Sequence, residues 1–144
     1  SFTVSNHEKG VIPMHQISIK SPNSFNIGTR GGAVRPSSGY AFTFIQKQVS
    51  QISNQINKKI LINTEIHNKV DLFLDKIFIT VIDKSPQLAP KIFSRLASQL
   101  NGDEMAKFMS GECSILTKLK VIFSMPKLPF IKSFFFILRS YVRN

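Results

Sequence analysis

The sequence predicts an α+β fold in which a few short strands precede a mostly helical half of the chain. Apolar and polar residues alternate over residues 1–4 and 17–20, with the two-residue period of a strand. From residue 38 onward, apolar residues recur at steps of three and four, as they do along one face of a helix. A glycine-rich stretch separates the two patterns. We therefore expect strands, a loop and then helices, in that order.

The predicted strands are short because turn-forming residues interrupt them. Lys9-Gly10 predicts a turn between the first two strands, and Pro13 confines any strand there to a sheet edge or a bend. Residues 21–24 predict another turn, after which residues 25–28 form a third strand. Three such strands do not complete a sheet, so we expect the remaining strands to come from elsewhere in a longer protein.

Residues 28–44 read as a tight glycine turn, an extended Arg-Pro step and the start of a helix. Gly31-Gly32 allows positive φ and a close approach of another molecule to the backbone, and Pro36 ends any preceding ladder. Ser37 or Ser38 is a good N-cap for the helix that follows. A loop that leads into a helix N-terminus favours anions and dipoles, because unpaired N–H groups project from that end. An ordinary capped helix after a turn is the alternative.

Helices are predicted over the remainder of the chain. The second begins at an Asn68 cap, and Asp71, Asp75 and Asp83 fall on its polar side, where we expect solvated charges. Prolines break the last part of the chain at Met125-Pro126 and Leu128-Pro129. The predicted helices span residues 38–59, 68–82, 88–100, 103–110 (with Asp103 as the cap), 113–123 and 130–142.

The net charge of +11 is compatible with an anionic membrane surface or with nucleic acid. Lysines and arginines are scattered, without the long basic run typical of nucleic-acid binding, so we expect no nucleic-acid partner. Cys113 is the only cysteine, which excludes an internal disulfide. The three histidines and this cysteine show no metal-ligand spacing, so we predict no metal site.

Two motifs resemble segments of one enzyme family. Gly-Gly-Ala-Val-Arg-Pro-Ser-Ser-Gly-Tyr-Ala-Phe, residues 31–42, is similar to the last flavin-contacting segment of lycopene cyclases, which close the end rings of carotenoids. Residues 8–14, Glu-Lys-Gly-Val-Ile-Pro-Met, resemble the Glu-x-x-x-Ile-Pro-Met segment that precedes the flavin loop in that family. Two motifs in the right order are more specific than either alone. The chain is therefore identified as a member of this family, in its C-terminal part.

The resemblance implies the C-terminal part of a FAD-dependent two-domain flavoprotein. Residues 1–24 would end the sheet of the substrate domain, residues 25–60 would close the FAD-binding domain, and residues 61–144 would form a helical region. The implied cofactor is reduced FAD, with NAD(P)H as electron donor. Related flavoproteins have an acid where this chain has Thr29. The residues implied to bind FAD are Gly28, Thr29, Gly31, Gly32, Arg35, Pro36, Ser37, Ser38, Gly39 and Tyr40.

The same resemblance implies the reaction and its substrate. Lycopene cyclisation is an acid–base reaction without net redox change, with β-carotene as the expected product. Glu8 is the acid inside a family-like motif, as a proton relay or a structural partner, and Pro13 and Met14 are the implied substrate contacts. The main acid and the dinucleotide fingerprint of the family lie upstream of the segments found here. We therefore expect this chain alone to be inactive and to fold poorly.

The last segment favours a membrane surface. Residues 129–139 are rich in phenylalanine, yet their longest apolar run, residues 134–138, is too short to span a bilayer. Flanking cations suit anionic headgroups, and lycopene dissolves only in lipid. We therefore expect a peripheral protein on the cytoplasmic side of a membrane; a buried helix is the alternative. Two other functions stay open: another FAD-dependent lipid monooxygenase or reductase, and a non-catalytic basic membrane-interaction module.

Overall fold

The computed structural model describes residues 26–58 and 65–142, together with residues 3, 5–7, 9–11, 13–15, 17 and 24. Helices and the loops between them make up the two long described ranges. The elements are α1 (Phe42–Asn57), α2 (Lys69–Lys84), a 3-10 turn (Pro86–Leu88), α3 (Ala89–Gln99), α4 (Gly102–Met109), α5 (Ile115–Ser124) and α6 (Lys127–Val142).

The predicted α+β class is wrong for the described residues, which contain no strand and no sheet. The strand predicted over residues 25–28 is absent from its described residues, 26–28, and Gly28 begins a turn. The Gly28 N–H donates to Gln48 Oε1 at 2.9 Å, and the Gly28 carbonyl accepts from the N–H groups of Gly31 and Ala33 at 3.1 and 2.9 Å. A strand needs these groups for its neighbour, so the turn excludes it. Most of residues 1–4 and 17–20 lies outside the described residues.

The hydrophobic core lies where α2, α3, α5 and the start of α6 meet. Val81 of α2 and Ile92 of α3 are almost wholly buried at its centre. Leu100, Val121 and Met125 complete the buried cluster, and partly buried side chains from α2, α4 and α6 pack around it. Ridges of apolar side chains at helical spacing account for this core, as the sequence predicted for the second and third helices.

Two of the predicted helix ends are confirmed. Asn68 caps α2 by accepting from the Val70 N–H at 2.8 Å, and α5 ends at Ser124, with Met125 as its C-cap before Pro126. Leu128-Pro129, in contrast, does not interrupt a helix. Pro129 lies in the first turn of α6, where a helix tolerates proline because that N–H has no intrahelical partner.

Two predicted caps are wrong. The fourth helix is capped by Asn101 instead of Asp103, because Asn101 and Glu104 exchange two side-chain-to-backbone hydrogen bonds of 2.8 and 3.0 Å. The first helix begins at Phe42, four residues later than predicted, and its N-cap Ala41 offers no side-chain hydrogen bond. The N-terminus of α1 is therefore uncapped.

Candidate functional site

A buried ion pair connects the 28–40 loop to α2. Arg35 and Asp75 are 5% and 3% exposed, although both are charged. The Arg35 Nε lies 3.3 and 3.1 Å from the two carboxylate oxygens of Asp75, and Nη2 lies 3.1 Å from Oδ1. Such a forked geometry is among the strongest that a guanidinium and a carboxylate form. The sequence prediction that Asp71 and Asp75 are solvated is wrong, since both are buried, whereas Asp83 is exposed as predicted.

Two further contacts complete the surroundings of this pair. The Arg35 Nη1 donates to the Phe108 carbonyl at the end of α4, and the guanidinium lies 4.9 Å from the centre of the Phe108 ring. The Ser37 hydroxyl donates to Asp75 Oδ1 at 2.8 Å. Buried charges are tolerated only when their hydrogen-bonding capacity is met. Arg35 thus joins the loop, α2 and α4.

The loop is also closed on itself. The Arg35 N–H donates to the Tyr40 carbonyl at 2.8 Å, and the Arg35 carbonyl accepts from Ser38 and Gly39 at 3.3 and 2.9 Å. The Ser38 hydroxyl accepts from the Tyr40 N–H at 3.3 Å. Ser37 and Ser38 therefore serve the ion pair and this turn, which explains why neither caps α1.

The glycines of the loop make close packing within the chain possible. A methyl group on Gly31 would clash with the Asn26 carbonyl oxygen and with Gln48 Nε2, which donates to the Gly31 carbonyl at 2.8 Å. Gly32 has a φ of 77°, a conformation that residues with a side chain rarely adopt. Gln48 thus holds both ends of the glycine turn from α1, through Gly28 and Gly31.

His67 supports the same loop from the other side. Its Nε2 lies 3.0 Å from the Gly32 carbonyl oxygen, and its ring centre lies 4.3 Å from that of Phe44. Burial lowers the pKa of His67 below 6.5, although the hydrogen bond to Gly32 and the charge of Asp75 act in the opposite direction. The neutral imidazole is therefore the form that the loop accommodates.

A polar cavity of about 80 Å³ lies beside the ion pair, between the loop, α1 and α2. Two carboxylates, Asp71 and Asp75, contribute to its lining together with His67. Asp71 forms an ion pair with Lys118 of α5, in which Lys118 Nζ lies 2.6 Å from Asp71 Oδ1. Burial also raises the pKa of the nearby Cys113 thiol, which keeps it protonated. The cavity is large enough for a few waters, but far too small for a carotene.

The residues predicted to bind FAD all lie in this one loop. Arg35 faces α2, the Tyr40 ring packs edge-on 6.4 Å from Phe44, and the assignment of the loop to FAD stays a prediction. Glu8 lies outside the described residues, while Pro13 is partly buried and Met14 exposed. The domain boundaries predicted at residues 24 and 60 stay predictions.

The sequence interpretation missed the residues that hold the loop. Asp75 was placed with Asp71 on one polar side of its helix, at positions i and i+4, but that shared face was interpreted as solvated. Gln48 and His67 gave no signal. A further missed residue is Thr43 in the first turn of α1, whose hydroxyl is buried and has no hydrogen-bond partner among the described residues.

The comparison with protein families identifies the class of protein: a carotenoid cyclase, an enzyme of carotenoid biosynthesis. A family model described as lycopene cyclase protein matches residues 2–134, which include the loop, the ion pair and all of α1 to α5. The chain therefore belongs to the lycopene cyclase family. Searches of curated proteins and of solved structures returned no match.

Two structural tests bear on membranes and metals. No single described helix is long and apolar enough to cross a membrane; α5 and α6 reach that length and composition only as a pair, and this pair is bent by 113°. Within the described ranges, no group of three histidine, cysteine or carboxylate side chains is placed to hold a metal ion.

Replacing Asp75 by asparagine leaves Arg35 buried beside a neutral partner. We expect Asp75→Asn to lower the free energy of unfolding by about 3 kcal/mol, because the cost of burying the guanidinium is then no longer offset. Asp83→Asn is the matched control, since it makes the same change at an exposed position of α2, where we expect an effect within about 0.5 kcal/mol. Chemical denaturation measures both, and equal losses would contradict the assigned role of the pair.

The neutral state of His67 predicts a dependence of stability on pH. The unfolded chain binds a proton on this ring near pH 6.5, whereas the folded chain does so only at lower pH. The contribution of neutral His67 to the free energy of unfolding is therefore complete above pH 6.5 and is lost as the pH falls below 6.5. Glu104 and Glu112 have lowered pKa values, so their contributions to the free energy of unfolding change only at pH values below 4.5.

We expect His67→Gln to flatten the pH dependence of the unfolding free energy between about one pH unit above and one below 6.5. His15→Gln is the control, since His15 is exposed. Denaturant titrations at both pH values measure the difference. A slope that persists in His67→Gln and disappears in His15→Gln would show that another histidine is responsible.

Proposed function

We propose that the protein catalyses the cyclisation of lycopene end groups to a cyclic carotene, with β-carotene as the main product. The observation that supports this most strongly is the family match over residues 2–134, which includes both motifs quoted above. The reaction adds a proton to an end double bond, forms the ring through a carbocation and releases a proton. Because one proton enters and one leaves, no net oxidation occurs.

An acid must protonate the substrate, and a base must accept the proton that leaves. Glu8 is the candidate for a proton relay within this chain, on the strength of its motif alone. The carboxylates of Asp71 and Asp75 are unsuited to this task. Each is held in an ion pair, with Lys118 or with Arg35, and is therefore not free to meet a substrate.

Reduced FAD is the proposed cofactor, with NAD(P)H as its electron donor. The residues around the loop fit a polar ligand at the N-terminus of α1. That helix end lacks a side-chain cap and an acidic residue in its first turn, and the Thr43 hydroxyl beside it is buried without a partner among the residues that the structure describes. When bound, reduced FAD supplies negative charge that stabilises a nearby carbocation electrostatically.

The roles of the chain's own residues follow from their contacts. The first-turn N–H groups of α1 and the Thr43 hydroxyl would bind oxygen atoms of the cofactor. Gln48 and His67 hold the glycine turn in place in front of that helix end. Arg35 is fully engaged with Asp75 and Phe108, so we propose that it orders the loop instead of binding phosphate.

Lycopene is the proposed substrate and partner, and it resides in the apolar interior of a membrane. An enzyme that takes up such a substrate needs a lipid-facing surface. We therefore propose peripheral attachment to the cytoplasmic side of a membrane. The phenylalanine-rich α6 and the net charge of +11 support this location.

The test is expression of the protein from its complete natural coding region in lycopene-accumulating cells, with pigments separated by chromatography. We expect conversion of lycopene to a cyclic carotene and FAD in the purified protein. Thr43→Val should reduce the bound FAD several-fold and conversion with it, while the unfolding temperature stays equal or rises, because an unpaired buried hydroxyl is removed.

Thr80→Val is the matched control, because the Thr80 hydroxyl is exposed and bonds only to the Lys76 carbonyl of its own helix. We expect no change in FAD content from it. Unchanged lycopene in cells whose purified protein holds FAD would favour a lipid monooxygenase or reductase. A folded protein without FAD and without conversion would favour the non-catalytic membrane module.

A further inference from the structure

The outward face of α5 is apolar, which reverses the usual arrangement of a surface helix. Thr117 and Val121 are buried on the inner face, and the apolar side chains lie opposite them, within about a third of the helix circumference. Ile115 and Leu116 are 76% and 77% exposed. The exposed α5 stripe consists of Ile115, Leu116, Leu119, Ile122 and Phe123.

Two ion pairs fix α5 in this orientation. Lys118, on one edge of the α5 stripe, pairs with Asp71 of α2 at 2.6 Å. Lys120, on the other edge, pairs with Glu104 of α4 at 3.0 Å. The two acidic partners lie on different helices. A rotation of α5 that buried the stripe would therefore break at least one of these ion pairs.

A second apolar stripe runs along α6. It consists of side chains at steps of three and four, opposite the buried Ser133 and Ile137. Phe134 and Phe136 do not belong to it, because their rings contact Phe73 and Lys84 of α2. The α6 stripe consists of Leu128, Ile131, Phe135, Leu138 and Val142, all of which are exposed.

Cations border both stripes, and the two on α5, Lys118 and Lys120, are paired with Asp71 and Glu104. Residues 115–142 contain no aspartate or glutamate. Lys132 and Arg139, seven residues apart, lie along one edge of the α6 stripe, and Lys127 lies at its start; all three are exposed. Apolar stripes bordered by exposed cations are typical of helices that lie in the interface of an anionic membrane.

We propose that the α5 and α6 stripes together form a membrane-docking surface for anionic lipids. The apolar side chains enter the boundary between headgroups and acyl chains, and Lys127, Lys132 and Arg139 bind the headgroups. The two stripes lie on consecutive helices that meet at a bend of 113°. The α5 stripe thereby adds five exposed apolar side chains to the five of the α6 stripe.

A second copy of this chain fits the surface less well. Pairing two such faces would bring Lys132 and Arg139 against cations of the other copy, and residues 115–142 contain no acid to offset them. Anionic headgroups provide the opposite charge. The proposal deepens the peripheral location stated above and rests on it, because lycopene is taken from the same lipid phase.

Flotation of the purified protein with vesicles tests the surface without any pigment chemistry. We expect binding to phosphatidylcholine vesicles that contain phosphatidylglycerol, and much weaker binding to phosphatidylcholine alone. Lys132→Glu combined with Arg139→Glu should weaken binding to the anionic vesicles by about twentyfold. Lys69→Glu combined with Lys91→Glu, which changes the net charge equally at exposed positions outside the surface, should bind as the parent does.

The apolar contribution is tested by Ile115→Ser combined with Leu116→Ser, which should weaken binding by about tenfold. Ile56→Ser combined with Val70→Ser is the control, at exposed apolar positions of α1 and α2. Equal binding to both vesicle types, or equal losses in test and control variants, would overturn the proposal. A dimer of the parent protein that dissociates in the Ile115, Leu116 variant would also overturn it, in favour of self-association.

The same variants separate this proposal from the proposed reaction. A protein that converts lycopene but fails to bind anionic vesicles would overturn the docking surface alone. A protein that binds the vesicles through these residues but leaves lycopene unchanged would retain the docking surface and overturn the cyclase reaction.

Discussion

The arrangement of the described residues depends on one buried ion pair, between Arg35 and Asp75. Each charge is costly to remove from water, and the cost is offset only while the two groups face one another. Arg35 also donates to the Phe108 carbonyl, so the loop, α2 and α4 must all be in place for its hydrogen bonds to be complete. A conformation in which the loop leaves α2 would separate the two charges and leave Asp75 without its partner. The ion pair therefore favours a single position of the loop.

That constraint determines what the loop can offer a ligand. The side chains of Arg35 and Ser37 are occupied by Asp75, and several loop N–H groups are used within the loop itself. The groups that remain are those at the start of α1, where the helix lacks a side-chain cap and the Thr43 hydroxyl lacks a partner in the described part of the chain. Helix N-termini attract anionic and dipolar ligands because their first N–H groups are unpaired. Here the N-terminus of α1 is also the helix end that the loop leaves open.

Some features could be predicted from the sequence because they depend on local chemistry. Asn68 caps the helix that follows it, and Pro126 cannot continue α5, whatever the rest of the fold is. The two motifs predicted the family that the family model identifies. Ser38 shows the limit of such local reasoning: it had the right residue type for a cap, but its hydroxyl accepts from Tyr40 in a tighter turn.

Other features could not be predicted because they depend on partners far along the chain. Asp75 is buried only because Arg35, forty residues earlier, is brought against it. Gln48 is buried because the glycine turn folds over α1. The strand predicted over residues 25–28 failed at Gly28 for the same reason, since the Gly28 backbone groups bond to that turn and to Gln48. The outward face of α5 likewise depends on distant partners, since Lys118 pairs with Asp71 and Lys120 with Glu104 while the apolar side chains between them are exposed.

The most direct test of this account is a double-mutant cycle on the central ion pair, with Arg35→Met, Asp75→Leu and the combined variant compared by chemical denaturation. We predict that each single change destabilises strongly, because it leaves one unpaired buried charge, and that the combined variant loses less than the sum by about 2 kcal/mol or more. Strictly additive losses would contradict the account, since they would show that Arg35 and Asp75 act independently and that the pair does not hold the loop on α2.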